Sequence, residues 1–231
     1  ESCRGHLPRF LGTSLVHLGG VYLRAGLEER ALAAFAEAAS AAPDDDKNAI
    51  AAALAGSGLA LLSQGRPDGA KEALESFQRA LAVAEAAGNP TWAAQARTGM
   101  GEALTRLGET ASAVEQLNRA VETTEAAGDL SRLANALLQR GRVGLAAGRF
   151  EAAAADFQRA LETGRESTIP EVEAEALHGL ARGAAAQGRM EEALERSEEA
   201  IGVAESLRAT LLSQQGRAEY LSKRRSYYEL A

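Results

Sequence analysis

The sequence is poor in the residues from which reactive sites are usually built. Its 231 residues include one cysteine, three histidines and one tryptophan, and only 4% are aromatic. The single cysteine, Cys3, cannot form an internal disulfide, which suits a reducing compartment and predicts a cytoplasmic location. No apolar run approaches the ~20 residues that cross a bilayer. No segment reads as a signal peptide, and the chain starts at Glu1 without Met, so we expect a segment of a longer protein.

Charge excludes another class of partner. Asp and Glu outnumber Lys and Arg by 32 to 25, which gives a formal net charge of −7 and a pI near 5.2. Nucleic-acid-binding proteins usually carry a basic patch or stripe, so this balance predicts that neither nucleic acid nor a membrane is a partner. What is abundant instead is Ala and Leu, which favour closely packed helices over a sheet core.

The few candidates for chemistry all have simpler explanations. Cys3 and His6 lie close together near a chain end, where fraying is the rule. The segments 56–58 and 99–101 have the Gly-x-Gly form of a phosphate loop fragment, but both lie inside predicted helices without a preceding strand. We therefore predict no catalytic residue, no metal and no cofactor, so these residues do not form an enzyme.

A repeated motif dominates the sequence. The first copy combines a Leu-Gly-x-x-Tyr spacing, an Ala-x-x-x-Phe spacing and a closing proline, at Leu18, Gly19, Tyr22, Gly26, Ala31, Phe35, Ala38 and Pro43. These spacings resemble the tetratricopeptide repeat, a helical hairpin in which small residues allow close helix contact.

The same frame recurs along the chain. A small residue in the first helix of each hairpin is found at Gly19, Gly58, Gly101, Gly141 and Ala181, at intervals of 39, 43, 40 and 40 residues. Seven residues later comes a glycine expected to end that helix in a left-handed conformation: Gly26, Gly65, Gly108, Gly148 and Gly188. Five residues after each glycine is an alanine of the second helix: Ala31, Ala70, Ala113, Ala153 and Ala193.

These patterns predict an all-α fold of five hairpins near 8–43, 46–88, 90–128, 130–168 and 170–208, and the tetratricopeptide resemblance implies that they form a right-handed α-α superhelix. First helices are expected near 8–24, 46–64, 90–107, 130–147 and 170–187. Second helices are expected near 28–41, 68–87, 110–127, 150–166 and 190–208. The long repeat, about 40 residues rather than about 34, resembles kinesin light chain and Leu-Gly-Asn-type spindle adaptors. We expect the three extra residues of the 43-residue interval near 66–69.

The C-terminal segment departs from the frame. Residues 209–231 are predicted to form a capping or linker helix with an aromatic stripe that includes Tyr220 and Tyr227. The run over 204–231, with Glu-Ser-Leu-Arg, Arg-x-x-Tyr and a tyrosine pair, resembles the linker that precedes CHAT domains, the caspase-like proteases found mostly in bacteria. That resemblance implies an adjoining protease domain in a longer chain.

The tetratricopeptide resemblance implies a concave groove lined by the first helices. Its offsets from the small residue predict an apolar N-terminal half, at positions such as Ala52 and Leu62, and a polar C-terminal half. The predicted partner-binding residues of the polar half are Gln95, Thr98, Glu102, Asn135, Leu138, Gln139, Arg142, His178 and Arg182. The two arginines favour a partner with an acidic segment. Solvated side chains, or the protein's own tail in the groove, are the alternative.

Three functions follow. The first is a protein–protein interaction scaffold that binds a peptide or protein in the groove. The second is the regulatory arm of a CHAT-type protease, and the third is the sensor module of a bacterial transcription regulator.

Overall fold

The computed structural model describes residues 2–210, with side chains over 10–209. This range contains ten α-helices and no strand. The helices are α1 (Ser2–Arg24), α2 (Glu28–Ala41), α3 (Lys47–Ser63), α4 (Gly69–Ala86), α5 (Pro90–Arg106), α6 (Thr110–Ala127), α7 (Leu130–Ala146), α8 (Phe150–Glu166), α9 (Pro170–Ala186) and α10 (Met190–Thr210). We call the odd-numbered helices A helices and the even-numbered ones B helices. The predicted all-α class and the five hairpins are confirmed.

Local sequence explains where most helices begin. The side chains of Asp46, Asn89 and Asp129 accept hydrogen bonds from the backbone three residues on, and so cap α3, α5 and α7. Proline opens α5 and α9, where its missing N–H costs nothing. Apart from the start of α1 and the end of α10, the predicted bounds agree with these helices to within one residue. The predicted helix 209–231 lies outside the described residues, except that α10 continues to Thr210.

Left-handed residues end the A helices. Gly26, Gly65, Gly108, Gly148 and Gly188 all have positive φ, between 64° and 80°, as predicted. A glycine with the same conformation follows α4 and α6, at Gly88 and Gly128, but after α8 the residue is Thr168 with φ 55°. A β-branched residue is strained there, because its side chain crowds the backbone.

The contacts divide the chain into two compact units, which we call unit 1 (Glu1–Ala127) and unit 2 (Gly128–Ala231). In unit 1 the hairpins are α1–α2, α3–α4 and α5–α6, and each A helix also packs on the next A helix. In the described part of unit 2 the hairpins are α7–α8 and α9–α10, with α7 in contact with α9. The predicted single array over residues 1–208 stays a prediction.

In unit 1, aromatic rings fill spaces left by glycines on two successive A helices. Phe35 of α2 is 3% exposed, and a Cβ added to Gly19 or Gly56 would lie 2.6 or 2.4 Å from its ring. Phe77 of α4 is fully buried in the same way between Gly58 and Gly99. We call this arrangement, one ring between two glycines, the ring–glycine joint. It explains why small residues recur at those positions, since any side chain would displace the ring.

The second hairpin departs from the predicted frame. Ala73, which is fully buried, lies four residues before Phe77, just as Ala31 lies four residues before Phe35. The alanine of α4 that corresponds to Ala31 is therefore Ala73, three residues after the predicted Ala70, which is also buried in α4. The three extra residues belong to a longer turn and an early helix start, because α4 begins at Gly69, four residues after Gly65.

The described part of unit 2 has a ring–glycine joint with an ion pair beside it. Phe157 of α8 is 1% exposed and lies against Gly141 and Gly179. Beside it, Arg140 of α7 donates from Nε and Nη2 to both carboxylate oxygens of Asp156 of α8, at 2.9 and 2.6 Å. In the last hairpin the ring position is Ser197, which is fully buried and donates to the Ala193 carbonyl oxygen.

Candidate functional site

The predicted groove residues of unit 1 lie on α5 and are largely engaged with their own helix. Thr98 Oγ1 donates to the Ala94 carbonyl oxygen at 2.9 Å, and Glu102 forms an ion pair with Arg106 at 2.6 Å. Arg106 also donates to the Leu62 carbonyl oxygen at 2.6 Å, where a cation is favoured at the C-terminal end of α3. Gln95 is half-buried. This face therefore has few polar groups left for a partner.

Three residues of the predicted apolar half of the groove are buried. Ala52, Ala55 and Leu62 of α3 are 6%, 2% and 3% exposed, so they belong to the core of unit 1. The tetratricopeptide resemblance placed them on the groove side of α3, but nearly the whole helix is apolar and packed at these positions.

The predicted residues of unit 2 separate into buried and accessible groups. Leu138 is only 2% exposed, so it packs in the core and cannot line a groove. Asn135 is exposed and its Nδ2 donates to the Ser131 carbonyl oxygen at 3.0 Å. Gln139 is half-buried, and it precedes Arg140 of the Arg140–Asp156 pair in the sequence. Arg142 and Arg182 are exposed, and His178 is half-buried.

Three of these side chains form a group, which we call the basic cluster: Arg142 of α7 with His178 and Arg182 of α9. The pKa of His178 is lowered from 6.5 to about 4, first by burial and then by the positive charges of Arg182 and Arg142. Both guanidinium groups therefore act on the ring and disfavour its protonated form. His178 is therefore neutral near pH 7, and the charge of the cluster comes from the two arginines.

One carboxylate partly neutralises the basic cluster. Arg142 Nη2 donates to Glu175 Oε2 of α9 at 2.6 Å, and both side chains are partly exposed. Arg182 has no hydrogen-bond or ion-pair partner among the described residues. The cluster thus has two cations and one internal anion. Arg142, His178 and Arg182 were predicted from sequence, but the pairing with Glu175 was not, because it joins different helices.

The described residues were also compared with the requirements of a metal site and of a membrane crossing. No three or more His, Cys, Asp or Glu side chains of this part of the chain are grouped to hold a metal ion. Among the helices from Ser2 to Thr210, none has both the length and the apolar character that a membrane crossing requires.

Comparison with protein families gives one match. The model of the tetratricopeptide repeat matches residues 70–126 and 132–206, which is more than half of the chain. No curated protein matches this sequence.

Solved structures confirm the fold class. BtubC (BKLC) from P. vanneervenii is 16% identical with a TM-score of 0.70, and the match covers 90% of this chain and 86% of that one. A putative kinesin light chain from Podosopora anserina with TPR-like repeats is 17% identical with a TM-score of 0.63, over 88% of this chain and 98% of that one. This bears out the predicted resemblance to kinesin light chain.

A third similar structure is much longer than this chain. It is a signal transduction ATPase (STAND protein) with a tetratricopeptide repeat sensor from Pyrococcus horikoshii, 18% identical with a TM-score of 0.67. The match covers 83% of this chain and only 29% of that one. At these identities the likeness to each of the three structures shows the fold alone.

Proposed function

This chain belongs to the tetratricopeptide repeat family, and we propose from that premise that it binds a protein partner through an acidic segment held by the basic cluster of unit 2. The observation that carries the proposal is the basic cluster on the neighbouring helices α7 and α9, where the guanidinium groups of Arg142 and Arg182 both act on His178 and only Arg142 is paired, with Glu175. Planar guanidinium groups bind carboxylates through charge-assisted hydrogen bonds, and an exposed arginine without a partner can make them at little cost.

The neutral imidazole of His178 supports the same ligand. At neutral pH it adds no third charge to the cluster. An acidic side chain bound beside it would offset the repulsion from Arg142 and Arg182. The pKa of His178 would then rise from about 4, so binding at mildly acidic pH would be accompanied by proton uptake.

The net charge of the chain bears on where the affinity for an acidic partner comes from. The chain as a whole carries −7, so a long-range attraction for acidic partners is absent and affinity must come from the cluster itself. We therefore expect specificity for a short acidic segment in contact with α7 and α9, and a strong dependence of affinity on salt.

The test combines a labelled glutamate-rich peptide with pull-down from a lysate. We expect Arg142→Glu/Arg182→Glu to weaken peptide binding by about tenfold or more, because a hydrogen bond to a charged group contributes about 1.5–3 kcal/mol. The measurement is fluorescence anisotropy at two salt concentrations, with the retained proteins identified by mass spectrometry.

A matched control separates the site from net charge. Arg79 and Arg119 are exposed on B helices of unit 1, so Arg79→Glu/Arg119→Glu changes the charge equally on another surface. This control is expected to keep wild-type binding. Equal loss in both double variants, or the same partners retained by all three proteins, would count against the proposal.

The regulatory arm of a CHAT-type protease stays a separate prediction. It depends on residues 204–231, most of which lie outside the described residues. Reading the gene downstream of codon 231 tests it directly: a caspase-like domain there would support it, and a stop codon would contradict it. No described feature favours the transcription-regulator alternative, which needs a flanking DNA-binding domain.

A further inference from the structure

One arginine occupies a position that the other hairpins give to a buried leucine. Four residues before the small residue of each A helix, the chain has Leu15, Leu54, Leu137 and Leu177, each 9% exposed or less. In α5 the same position is Arg97, whose side chain is only 15% exposed. A guanidinium in a leucine position gives up hydration, so its contacts should compensate for that loss.

The contacts of Arg97 compensate only in part. Its Nη2 donates to Glu85 Oε1 of α4 at 2.6 Å, and the Glu85 side chain is 53% exposed. Its Nε is buried and has no hydrogen-bond partner among the described residues. Arg140 in unit 2 shows the complete arrangement, with Nε and Nη2 both donating to Asp156. On the corresponding edge of Arg97, only Nη2 therefore has an acceptor. A buried donor without an acceptor, such as its Nε, is rare in native proteins.

A cavity of about 280 Å³ adjoins this arginine. It opens to solvent between α4, α5 and α6 of unit 1, and is lined by Ala84, Glu85, Gly88, Asn89, Pro90, Ala93, Arg97 and Thr123. The lining combines an apolar wall with one cation, Arg97. It also includes the N-terminal end of α5, where the helix dipole favours negative charge. Its volume is just below the range of about 300–1,000 Å³ typical of sites for drug-sized ligands, so a smaller molecule fits.

We propose that this cavity binds a small aliphatic carboxylate, whose two oxygens take the Nε–Nη2 edge of Arg97 while its carbon chain contacts the alanines and the proline. A planar carboxylate matches that edge, as Asp156 matches Arg140. The ligand displaces Glu85, whose exposed side chain turns to solvent. This site lies in unit 1 and does not depend on the basic cluster.

The experiment measures the thermal unfolding midpoint with acetate, butyrate, hexanoate or succinate at constant ionic strength, against chloride, butyramide and inorganic phosphate. We expect at least one carboxylate to raise the Tm of the wild type in a concentration-dependent way, because a ligand that binds only the folded state stabilises it. Butyramide, which has the shape of butyrate without its charge, is expected to give no shift.

Two variants test the assignment to Arg97. Arg97→Leu installs the residue of the other four hairpins, so it should fold with an unchanged or higher Tm and lose the carboxylate response. Glu85→Gln removes the internal competitor, and should lower the carboxylate concentration for half-maximal shift by up to about fivefold, the upper range for an exposed ion pair. Calorimetric titration of the responding carboxylate should show binding to the wild type and none to Arg97→Leu.

Three outcomes would overturn the proposal. The first is a wild type that responds to none of the four carboxylates. The second is an equal response in Arg97→Leu, which would place the binding elsewhere. The third is a response to phosphate without one to any carboxylate, which would refute the carboxylate assignment.

Discussion

The two units build their hairpins from the same frame but differ at one pair of positions, the residue just before the small residue of an A helix and the residue just before the ring position of its B helix. In unit 1 the residues at these positions are neutral: Leu18 and Ala34, Ser57 and Ser76, and Met100 and Gln116. In unit 2 the α7–α8 pair is Arg140 with Asp156, hydrogen-bonded through two contacts and with Asp156 8% exposed.

The difference teaches what the frame requires and what it tolerates. The ring–glycine joints set the distance between helices in both units, because a ring and a missing Cβ must coincide. Polar or charged residues are accepted next to the joint when their hydrogen bonds are satisfied. Unit 2 also has the basic cluster on its A helices, so its stability should depend more on charge and pH than that of unit 1.

The largest expected effect is the loss of a ring from a joint. Phe77→Ala in unit 1 and Phe157→Ala in unit 2 should each lower the free energy of unfolding by about 3–5 kcal/mol, because both rings are almost fully buried. Urea denaturation followed by circular dichroism measures this. Similar losses would show that the joint is equivalent in both units, whereas a loss below about 1 kcal/mol in either would contradict its structural role.

The charged pair of unit 2 should give the next largest effect. Asp156→Ala should destabilise the protein by about 3 kcal/mol, because it leaves Arg140 buried without its carboxylate. Transplanting the pair of the third hairpin, as Arg140→Met/Asp156→Gln, should recover most of that loss, since neutral replacements of buried ion pairs are often tolerated. A double variant as unstable as Asp156→Ala would show that these two positions of unit 2 do not accept the residues of unit 1.

A pH dependence should distinguish the units. The pKa of His178 is lowered to about 4 in the folded protein, so between pH 6.5 and 4 the unfolded chain binds the proton more readily. Stability should therefore fall as the pH falls through that window, by roughly 1 kcal/mol between pH 7 and 5 after allowance for partial exposure.

The matched variant is His178→Thr, since Thr98 occupies the same position on α5 of unit 1. Urea midpoints at pH 7 and pH 5 should differ less in this variant than in the wild type. An unchanged difference would mean that other groups cause the pH dependence.

The smallest expected effect has the opposite sign. Thr168, with φ 55°, follows α8 of unit 2 at the position that Gly88 has after α4 of unit 1. Thr168→Gly should stabilise the protein by about 0.5–1 kcal/mol, because glycine adopts the left-handed conformation without strain. This figure is smaller than the strain itself, since glycine also has more conformational freedom in the unfolded chain. The reciprocal Gly88→Thr should destabilise it. A lower Tm for Thr168→Gly would show that contacts of the threonine side chain outweigh the strain.

The helices were predictable because their signals are local. Asp46, Asn89 and Asp129 begin helices, and glycines seven residues after the small positions end them, so nearly all bounds agreed with the structure to within one residue. The frame failed where two local patterns competed. In the second hairpin Ala70 and Ala73 both follow Gly65 in a helical stretch, and only the packing of Phe77 between two glycines selects Ala73.

The candidate sites were predictable only in part. Offsets within a repeat placed Arg142, His178 and Arg182 near one another, but not the exclusion of Leu138, which is 2% exposed. The cavity at Arg97 left a signal that a comparison of hairpins could have found, namely one arginine among four leucines. The existence and volume of the cavity still required the structure.

The sequence by itself determined the fold, because its small residues, turn glycines and caps act over a few residues and recur every 40 or so. Only the tertiary structure decided which charges meet and which leucines are buried. Arg142 and Glu175 are 33 positions apart, and their 2.6 Å contact exists because α7 and α9 lie side by side. Contacts between helices depend on how rings, glycines and guanidinium groups share one small volume, and a linear pattern does not contain that information.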